Sequence, residues 1–318
     1  MLQIVAITEK DISYIQQQVP ADLRDHIHFA RYPSIAEACD ALTNADVILT
    51  LHELLDEHLA RATRLRWVQT LSAGVDRVPL ASLKERGILL TCMRGIHAIQ
   101  MSEMALNFML QWVRQSHVFL KQQQEMRWNP NVQTSELYEK TLGVIGAGAI
   151  GEQIARKAKA FDMKTIGYNQ SGRELDSFDE IVTGRDGLER LLSISDFLVV
   201  LLPSTLQTRH FLQKEHFQLM KREAFLINMA RGTIINEKDL VDALESGEIA
   251  GAALDVFETE PLSADSPLWK MENVWITPHV AGASPYYIQR ASTLFFENVR
   301  RFVNDLPLAN VVNMSKGY

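Results

Sequence analysis

Residues 142–151 read Leu-Gly-Val-Ile-Gly-Ala-Gly-Ala-Ile-Gly, an apolar run passing into Gly146-x-Gly148-x-x-Gly151, and the stretch 152–160 that follows is helical in pattern. In such a strand–turn–helix unit the first glycine makes the tight turn. The second lets a backbone approach a pyrophosphate, and the third lets helix and strand pack closely. The helix start then offers unpaired N–H groups and a partial positive charge to an anion. A glycine turn alone is a weak signal; here the strand before it and the helix after it are both present. We read it as a dinucleotide-binding turn, with Gly146, Gly148, Ala149, Ile150 and Gly151 as its contacts.

Working outward, short apolar or β-branched runs alternate with helical patterns. They fall at residues 4–7, 47–50, 67–71 and 88–91 before the turn, and at 142–145, 165–168, 198–201, 225–228, 252–256 and 274–277 from it onward. Strands alternating with helices imply parallel sheets built from right-handed crossovers and covered on both faces. Two doubly wound α/β domains follow. The segments 38–51 and 188–203 echo each other, each an apolar-faced helix, an Asp at the turn (Asp46, Asp196), then a buried strand. Between the two sets, residues 100–126 carry Met101, Met104, Ala105, Phe108, Met109, Trp112 and Phe119 at helical spacing, which predicts one long, largely buried connecting helix. Residues 286–304 are helical again, with Ile288, Ala291, Leu294, Phe295, Val299 and Phe302 on one side. If this last helix packs on the N-terminal set, the first domain is discontinuous, 1–98 plus 286–318, flanking a cofactor domain of 99–285.

Composition narrows the class. The 318 residues are 47% hydrophobic and 22% charged, close to the average soluble globular protein, so disordered, collagen-like and coiled-coil readings lose support. A net charge of -7 without a basic run disfavours nucleic acid as a partner. Cys39 and Cys92 are too few for a disulfide framework and are read as two buried thiols, which favours a cytoplasmic location. The N-terminus lacks the pattern of a signal peptide, and no apolar run approaches the ~18 residues that span a bilayer. His26 and His28 alternate on a possible strand edge, but further ligands are missing and no metal is expected.

The second strand of the cofactor set ends at Tyr168-Asn169-Gln170-Ser171-Gly172-Arg173, where an acidic residue would hold the adenine-ribose hydroxyls of NAD. No carboxylate stands there. Asn169 would not repel a 2′-phosphate, Ser171 offers it a hydrogen bond, and Arg173 offers its planar fork. NADP is therefore favoured over NAD.

Residues 228–282 carry Asn228-Met-Ala-Arg231-Gly232, then Leu254-Asp255-Val-Phe-Glu-Thr-Glu260-Pro261-Leu262, then Thr277-Pro278-His279-Val-Ala-Gly282. With the mid-chain glycine turn, this ordered set resembles the D-isomer-specific 2-hydroxyacid dehydrogenase family, which contains D-lactate, phosphoglycerate and glyoxylate/hydroxypyruvate dehydrogenases or reductases. The resemblance runs along essentially the whole chain. It implies a Rossmann cofactor domain inserted into a flavodoxin-like substrate domain, and a catalytic triad of Arg231, Glu260 and His279.

The chemistry explains these residue types. Reducing a 2-oxo acid needs a hydride at C2, a proton on the carbonyl oxygen and a cation for the carboxylate. An imidazole titrates near working pH, so His279 is the proton donor. Glu260 would bond the other ring nitrogen, fixing the tautomer and favouring the charged acid. Arg231 would bind the carboxylate bidentately and polarise the carbonyl. Nicotinamide brings the hydride, so the protein's task is orientation.

Further matches extend the site. Leu71-Ser72-Ala73-Gly74-Val75-Asp76 resembles the family's loop whose backbone N–H groups hold the substrate carboxylate, which assigns Ala73, Gly74 and Val75 to the substrate. Leu202, Pro203, Thr208, Met229, Ala230, Arg231, Asp255, His279 and Gly282 match segments that line the cofactor, with Asp255 as the contact to the nicotinamide carboxamide. Arg94 is weighed as a second charge for the substrate against a structural salt bridge, and His97 is read as a satisfied hinge residue. The resemblance implies a cytoplasmic NAD(P)-dependent dehydrogenase working as a reductase of a small 2-oxo acid such as glyoxylate or hydroxypyruvate, and a homodimer. Phosphoglycerate is weaker, because little chain follows the cofactor set to form a regulatory domain. Formate dehydrogenase is disfavoured by Glu260, where that relative carries Gln. A rival of another class is a dinucleotide-sensing binding protein of the same fold.

Overall fold

The apolar runs form two parallel sheets. The computed structural model describes residues 1–317, and the chain divides into two units: Met1–Ile96 with the chain from Ser284 onward, and His97–Ala283.

The first unit holds β1 (Leu2–Ile7), β2 (Ile27–Tyr32), β3 (Val47–Thr50), β4 (Trp67–Thr70) and β5 (Leu89–Thr91), all parallel in the order β2-β1-β3-β4-β5. This is the flavodoxin-like order. β3 and β4 are buried at every residue, as central strands covered on both faces must be. The edge strand β2 mixes buried, half-buried and exposed residues, and without a continuous apolar run the sequence marked it only as a possible strand edge at His26 and His28. Helix Tyr287–Val303 belongs to this unit because its apolar stripe meets Trp67: the indole lies 5.7 Å from the Phe295 ring and 5.3 Å from that of Phe302. Removing a ring buried like Phe295 costs about 3–5 kcal/mol. The same helix satisfies a buried polar cluster, with Asn298 Nδ2 donating to Gln69 Oε1 at 3.3 Å, and Thr91 Oγ1 donating to that oxygen at 2.6 Å.

The second unit holds β6 (Thr141–Ile145), β7 (Lys164–Tyr168), β8 (Glu180–Val182), β9 (Phe197–Val200), β10 (Phe225–Asn228), β11 (Gly251–Leu254) and β12 (Val274–Ile276). Its parallel order β12-β11-β10-β9-β6-β7-β8 is the Rossmann order extended by one strand. β8, three half-buried residues at the edge, is again a strand the apolar runs did not reveal.

The internal echo has a physical basis. Asp46 Oδ2 accepts from Gln3 N at 2.9 Å, and Asp196 Oδ2 accepts from Thr141 N at 2.8 Å. In each unit the aspartate before one central strand thus caps the start of its neighbour, where a backbone donor would otherwise lack a partner.

Two expectations are corrected. The stretch 100–126 is not one helix but two, Ala98–Arg114 and Ser116–Gln124, broken at Gln115, whose φ of 55° ends the first helix in a left-handed turn. Met101, Ala105, Phe108 and Met109 are buried as expected, whereas Phe119, past the break, is exposed. Of the two cysteines only Cys92 is buried; Cys39 is half-exposed. No helix among the described residues is long and apolar enough to cross a membrane.

Candidate active site

The glycine turn joins β6 to helix Ala149–Lys159. Gly146 has φ +97°, and a Cβ there would stand 2.8 Å from the Leu201 carbonyl carbon, so only glycine fits. A Cβ on Gly148 would meet nothing closer than the Gly146 oxygen at 4.0 Å: the space over this backbone is open. On Gly151 it would press on Val144 Cγ1 at 3.0 Å, the close helix–strand packing expected of the third glycine. No side chain caps the helix, so the amides of Ala149 and Ile150 are left for an anion. The residues present fit a dinucleotide pyrophosphate.

At the end of β7 the turn is bonded to itself. Asn169 Nδ2 donates to the Arg173 carbonyl at 2.9 Å, Ser171 Oγ donates to Asn169 Oδ1 at 3.1 Å, and Arg173 N donates to Ser171 Oγ at 3.3 Å. The Ser171 proton is thus spent inside the turn. The exposed Arg173 side chain forms no ion pair among the described residues.

The triad residues gather on the chain following β10, β11 and β12. His279 Nδ1 lies 2.7 Å from Glu260 Oε2, and Glu260 Oε1 accepts from Phe257 N at 3.2 Å. His279 sits at φ 54°, a left-handed conformation uncommon outside glycine. Its amide is held by the Asp255 carbonyl at 2.8 Å. The buried Asp255 carboxylate holds the rest of the turn: Oδ1 accepts from Thr277 Oγ1 at 2.6 Å and Val280 N at 2.8 Å, and Oδ2 accepts from Ala281 N at 2.9 Å. Three charge-assisted bonds, each about 1.5–3 kcal/mol, thereby impose the His279 backbone.

Arg231 begins the short turn Gly232–Ile234 after β10, and its carbonyl accepts from Asn228 Nδ2 at 3.3 Å. A Cβ on Gly232 would stand 1.8 Å from the Phe257 carbonyl carbon. The Arg231 turn and the Phe257–Glu260 chain therefore run in direct backbone contact. Met229 and Ala230 bury their side chains in the two cores of the unit, so only their backbone is open to a cofactor. The turn from Leu202 to Thr208 is closed by Thr208 Oγ1, which donates to the Pro203 carbonyl at 2.6 Å. Gly282 accepts from Gln100 Nε2 at 3.1 Å, and a Cβ there would stand 3.1 Å from His97 Cδ2.

In the first unit, the loop after β4 carries Ala73, Gly74 and Val75. The Ser72 carbonyl accepts from Thr70 Oγ1 and Met93 N, both at 2.9 Å, and the Gly74 carbonyl accepts from Ser72 Oγ at 2.7 Å. Among the described hydrogen bonds the amides of Ala73, Gly74 and Val75 donate to none. Arg94 is exposed and its carbonyl accepts from Asn310 Nδ2 at 2.8 Å. No group of three or more His, Cys, Asp or Glu residues that could hold a metal occurs among the described residues.

The family model of the D-isomer specific 2-hydroxyacid dehydrogenase NAD binding domain matches residues 106–281. The chain belongs to the D-isomer-specific 2-hydroxyacid dehydrogenase family. It is 33% identical over 315 residues to a glyoxylate reductase of Korarchaeum cryptofilum, covering 96% of this chain and 93% of the relative. It is also 33% identical to a D-3-phosphoglycerate dehydrogenase of Methanocaldococcus jannaschii, covering 87% of this chain but 53% of that longer protein. A solved structure from Sinorhizobium meliloti, an NADPH-dependent glyoxylate/hydroxypyruvate reductase in complex with NADP and sulfate, superposes with a TM-score of 0.84 at 28% identity over 100% of both chains. A family protein from Aeromonas salmonicida reaches 0.87 at 32% identity, over 98% of this chain and 99% of that one.

In this 2-hydroxyacid dehydrogenase several site residues escaped the sequence reading. Thr277 and Asn228 hold Asp255 and the Arg231 turn, and Gly232 permits the contact with Phe257. The spacing Thr277-x-His279 and the Arg231-Gly232 pair were the available signals. A further cluster, His210 Nε2 at 2.9 Å from Glu258 Oε1, with Glu237 and Glu258 each accepting the other's amide at 3.1 Å, braces the Phe257–Glu260 chain. Nothing local in the sequence marks it.

Proposed function

We propose that this protein is an NAD(P)-dependent D-2-hydroxyacid dehydrogenase that works as a reductase of a small 2-oxo acid such as glyoxylate or hydroxypyruvate. The observation that carries this reading is the Glu260–His279 contact at 2.7 Å beside the Arg231 turn. A bound nicotinamide would supply the hydride to C2. His279, with Nδ1 committed to Glu260, presents Nε2 to the carbonyl oxygen and gives it the proton as the hydride arrives. Arg231 binds the carboxylate and polarises the carbonyl, and the amides of Ala73, Gly74 and Val75 offer their own unit's site for a substrate carboxylate. Asp255 acts first through the loop that carries His279; its remaining acceptor capacity serves the nicotinamide carboxamide.

The pyrophosphate rests on Gly146, Gly148, Ala149, Ile150 and Gly151, and the adenosine end on the turn at Asn169, Ser171 and Arg173. NADP is favoured over NAD because that turn carries no carboxylate and its Arg173 forms no ion pair among the described residues. Leu202, Pro203, Thr208, Gly282 and the backbone of Met229 and Ala230 complete the cofactor contacts. Residues 1–98 and 286–318 form the substrate domain and 99–285 the cofactor domain. The cell compartment is the cytoplasm, and the working form is a homodimer. The exposed Met126 and Trp128 support a partner surface, and sedimentation or light scattering would report its mass.

The test is the loss of nicotinamide absorbance when purified protein meets NADPH or NADH with glyoxylate, hydroxypyruvate, pyruvate and a bulkier 2-oxo acid. Turnover with a small acid, faster with NADPH, supports the reading. Tight cofactor binding with no turnover on any acid would favour a dinucleotide sensor.

A further inference from the structure

Tyr287, the first residue of helix Tyr287–Val303, lies far in sequence from the loop at residues 71–76 and is 8% exposed. Its hydroxyl donates to the carbonyl of Leu71, the residue that enters the loop of free amides, and Lys10 Nζ lies 5.2 Å from the centre of its ring. Burial holds the phenol above its ordinary range, so it remains a donor throughout the working pH range.

A peptide unit is planar and trans, so its N–H points opposite to its C=O. Fixing a carbonyl inward therefore turns the next amide outward. In this loop three carbonyls are fixed by protein donors: Leu71 by Tyr287 Oη, Ser72 by Thr70 Oγ1 and Met93 N, and Gly74 by Ser72 Oγ. The amides that follow them, those of Ser72, Ala73 and Val75, find no acceptor among the described hydrogen bonds. A row of outward amides is an anion-binding nest. Thr70 and Ser72 belong to the loop's own strand and turn and Met93 follows β5; among the described donors Tyr287 is the one that reaches the loop from the C-terminal part of the chain.

We infer that Tyr287 is a positioning residue that, through the Leu71 carbonyl, turns the Ser72 amide outward and so sets the entry of the Ser72–Val75 loop toward the carboxylate of the 2-oxo acid. This rests on the proposed reading of that loop as the substrate's anion site. Tyr287 touches neither cofactor nor reacting atoms in this role.

Tyr287→Phe keeps the ring, its packing and the Lys10 contact and removes only the hydroxyl. The expected result is a KM for glyoxylate raised about tenfold, the range for one lost hydrogen bond, with kcat within about twofold of wild type and NADPH affinity unchanged. Affinity for oxalate, a non-reducible anion measured by calorimetry in the presence of NADPH, should fall by the same factor. A merely structural tyrosine would instead lower thermal stability without splitting KM from kcat. Amide hydrogen exchange over residues 71–76 separates the two failures. If oxalate gives no protection in the wild type, the loop reading fails. If it protects the wild type and Tyr287→Phe alike, with unchanged KM, the loop stands and the inference about Tyr287 is overturned.

Discussion

The chain after β11 and the loop after β4 are each proposed to serve an anionic ligand, and they are built in opposite ways. Residues 255–281 work with ionisable side chains: a buried carboxylate at Asp255 ties down the turn, and a second at Glu260 grips the imidazole of His279. Residues 71–76 are proposed to work with backbone amides, their carbonyls held by neutral donors from Thr70, Ser72, Met93 and Tyr287. Proton transfer needs a group that changes charge, so the first region must use titratable side chains. Holding a carboxylate needs only fixed dipoles, and amides provide them without adding a charge that must be desolvated. With a net charge of -7 the protein as a whole repels anions, so both devices must act locally.

The largest effect separates the two regions most sharply. His279→Ala should lower kcat by roughly 10²–10⁴ while NADPH binding, followed by its fluorescence, survives. Near wild-type turnover would remove the imidazole from the chemistry. Arg231→Ala comes next: the carboxylate loses its charged partner and the carbonyl its polarisation, so kcat/KM should fall on the order of 10²-fold, with KM raised and kcat lowered together. A change in KM alone would mean that Arg231 acts like the amide loop, by binding only. Gly232→Ala probes the support of the charged region. Its new methyl meets the Phe257 carbonyl carbon at 1.8 Å, so denaturant unfolding should show a loss of about 3 kcal/mol or more, together with lost activity. An unchanged midpoint would break the claim that the two backbones meet here. Tyr287→Phe, on the amide side, should give the smaller, KM-only effect described above. Smallest is Arg173→Ala, expected to raise KM for NADPH about five- to tenfold and leave that for NADH alone. An equal rise for both cofactors would move Arg173 away from the 2′-phosphate.

The same contrast governs what the sequence revealed. The roles expected of Arg231, Glu260 and His279 rest on side-chain identity and order, and the inner strands were legible because two-sided burial forces continuous apolar runs. β8 was not, and β2 only as a possible strand edge at His26 and His28, since an edge strand with one open face carries a broken pattern. The break at Gln115 was hidden because a left-handed residue need not be glycine and the apolar stripe continues past it. Asp255 was read as a contact to the nicotinamide carboxamide; its three bonds to the His279 turn are a matter of approach in space. Tyr287 was invisible for the same reason: 216 residues separate it from the carbonyl it holds. Periodicity reports which face is buried; it does not report which distant donor meets which carbonyl.

The central claim is that this chain passes a hydride and the His279 proton to the carbonyl of a 2-oxo acid. The most direct measurement is to incubate the protein with NADPH and hydroxypyruvate and resolve the product by chiral chromatography while counting NADPH consumed. The account predicts one D-2-hydroxy acid formed per NADPH oxidised. NADPH bound but not oxidised, or a product of the L configuration, would contradict it.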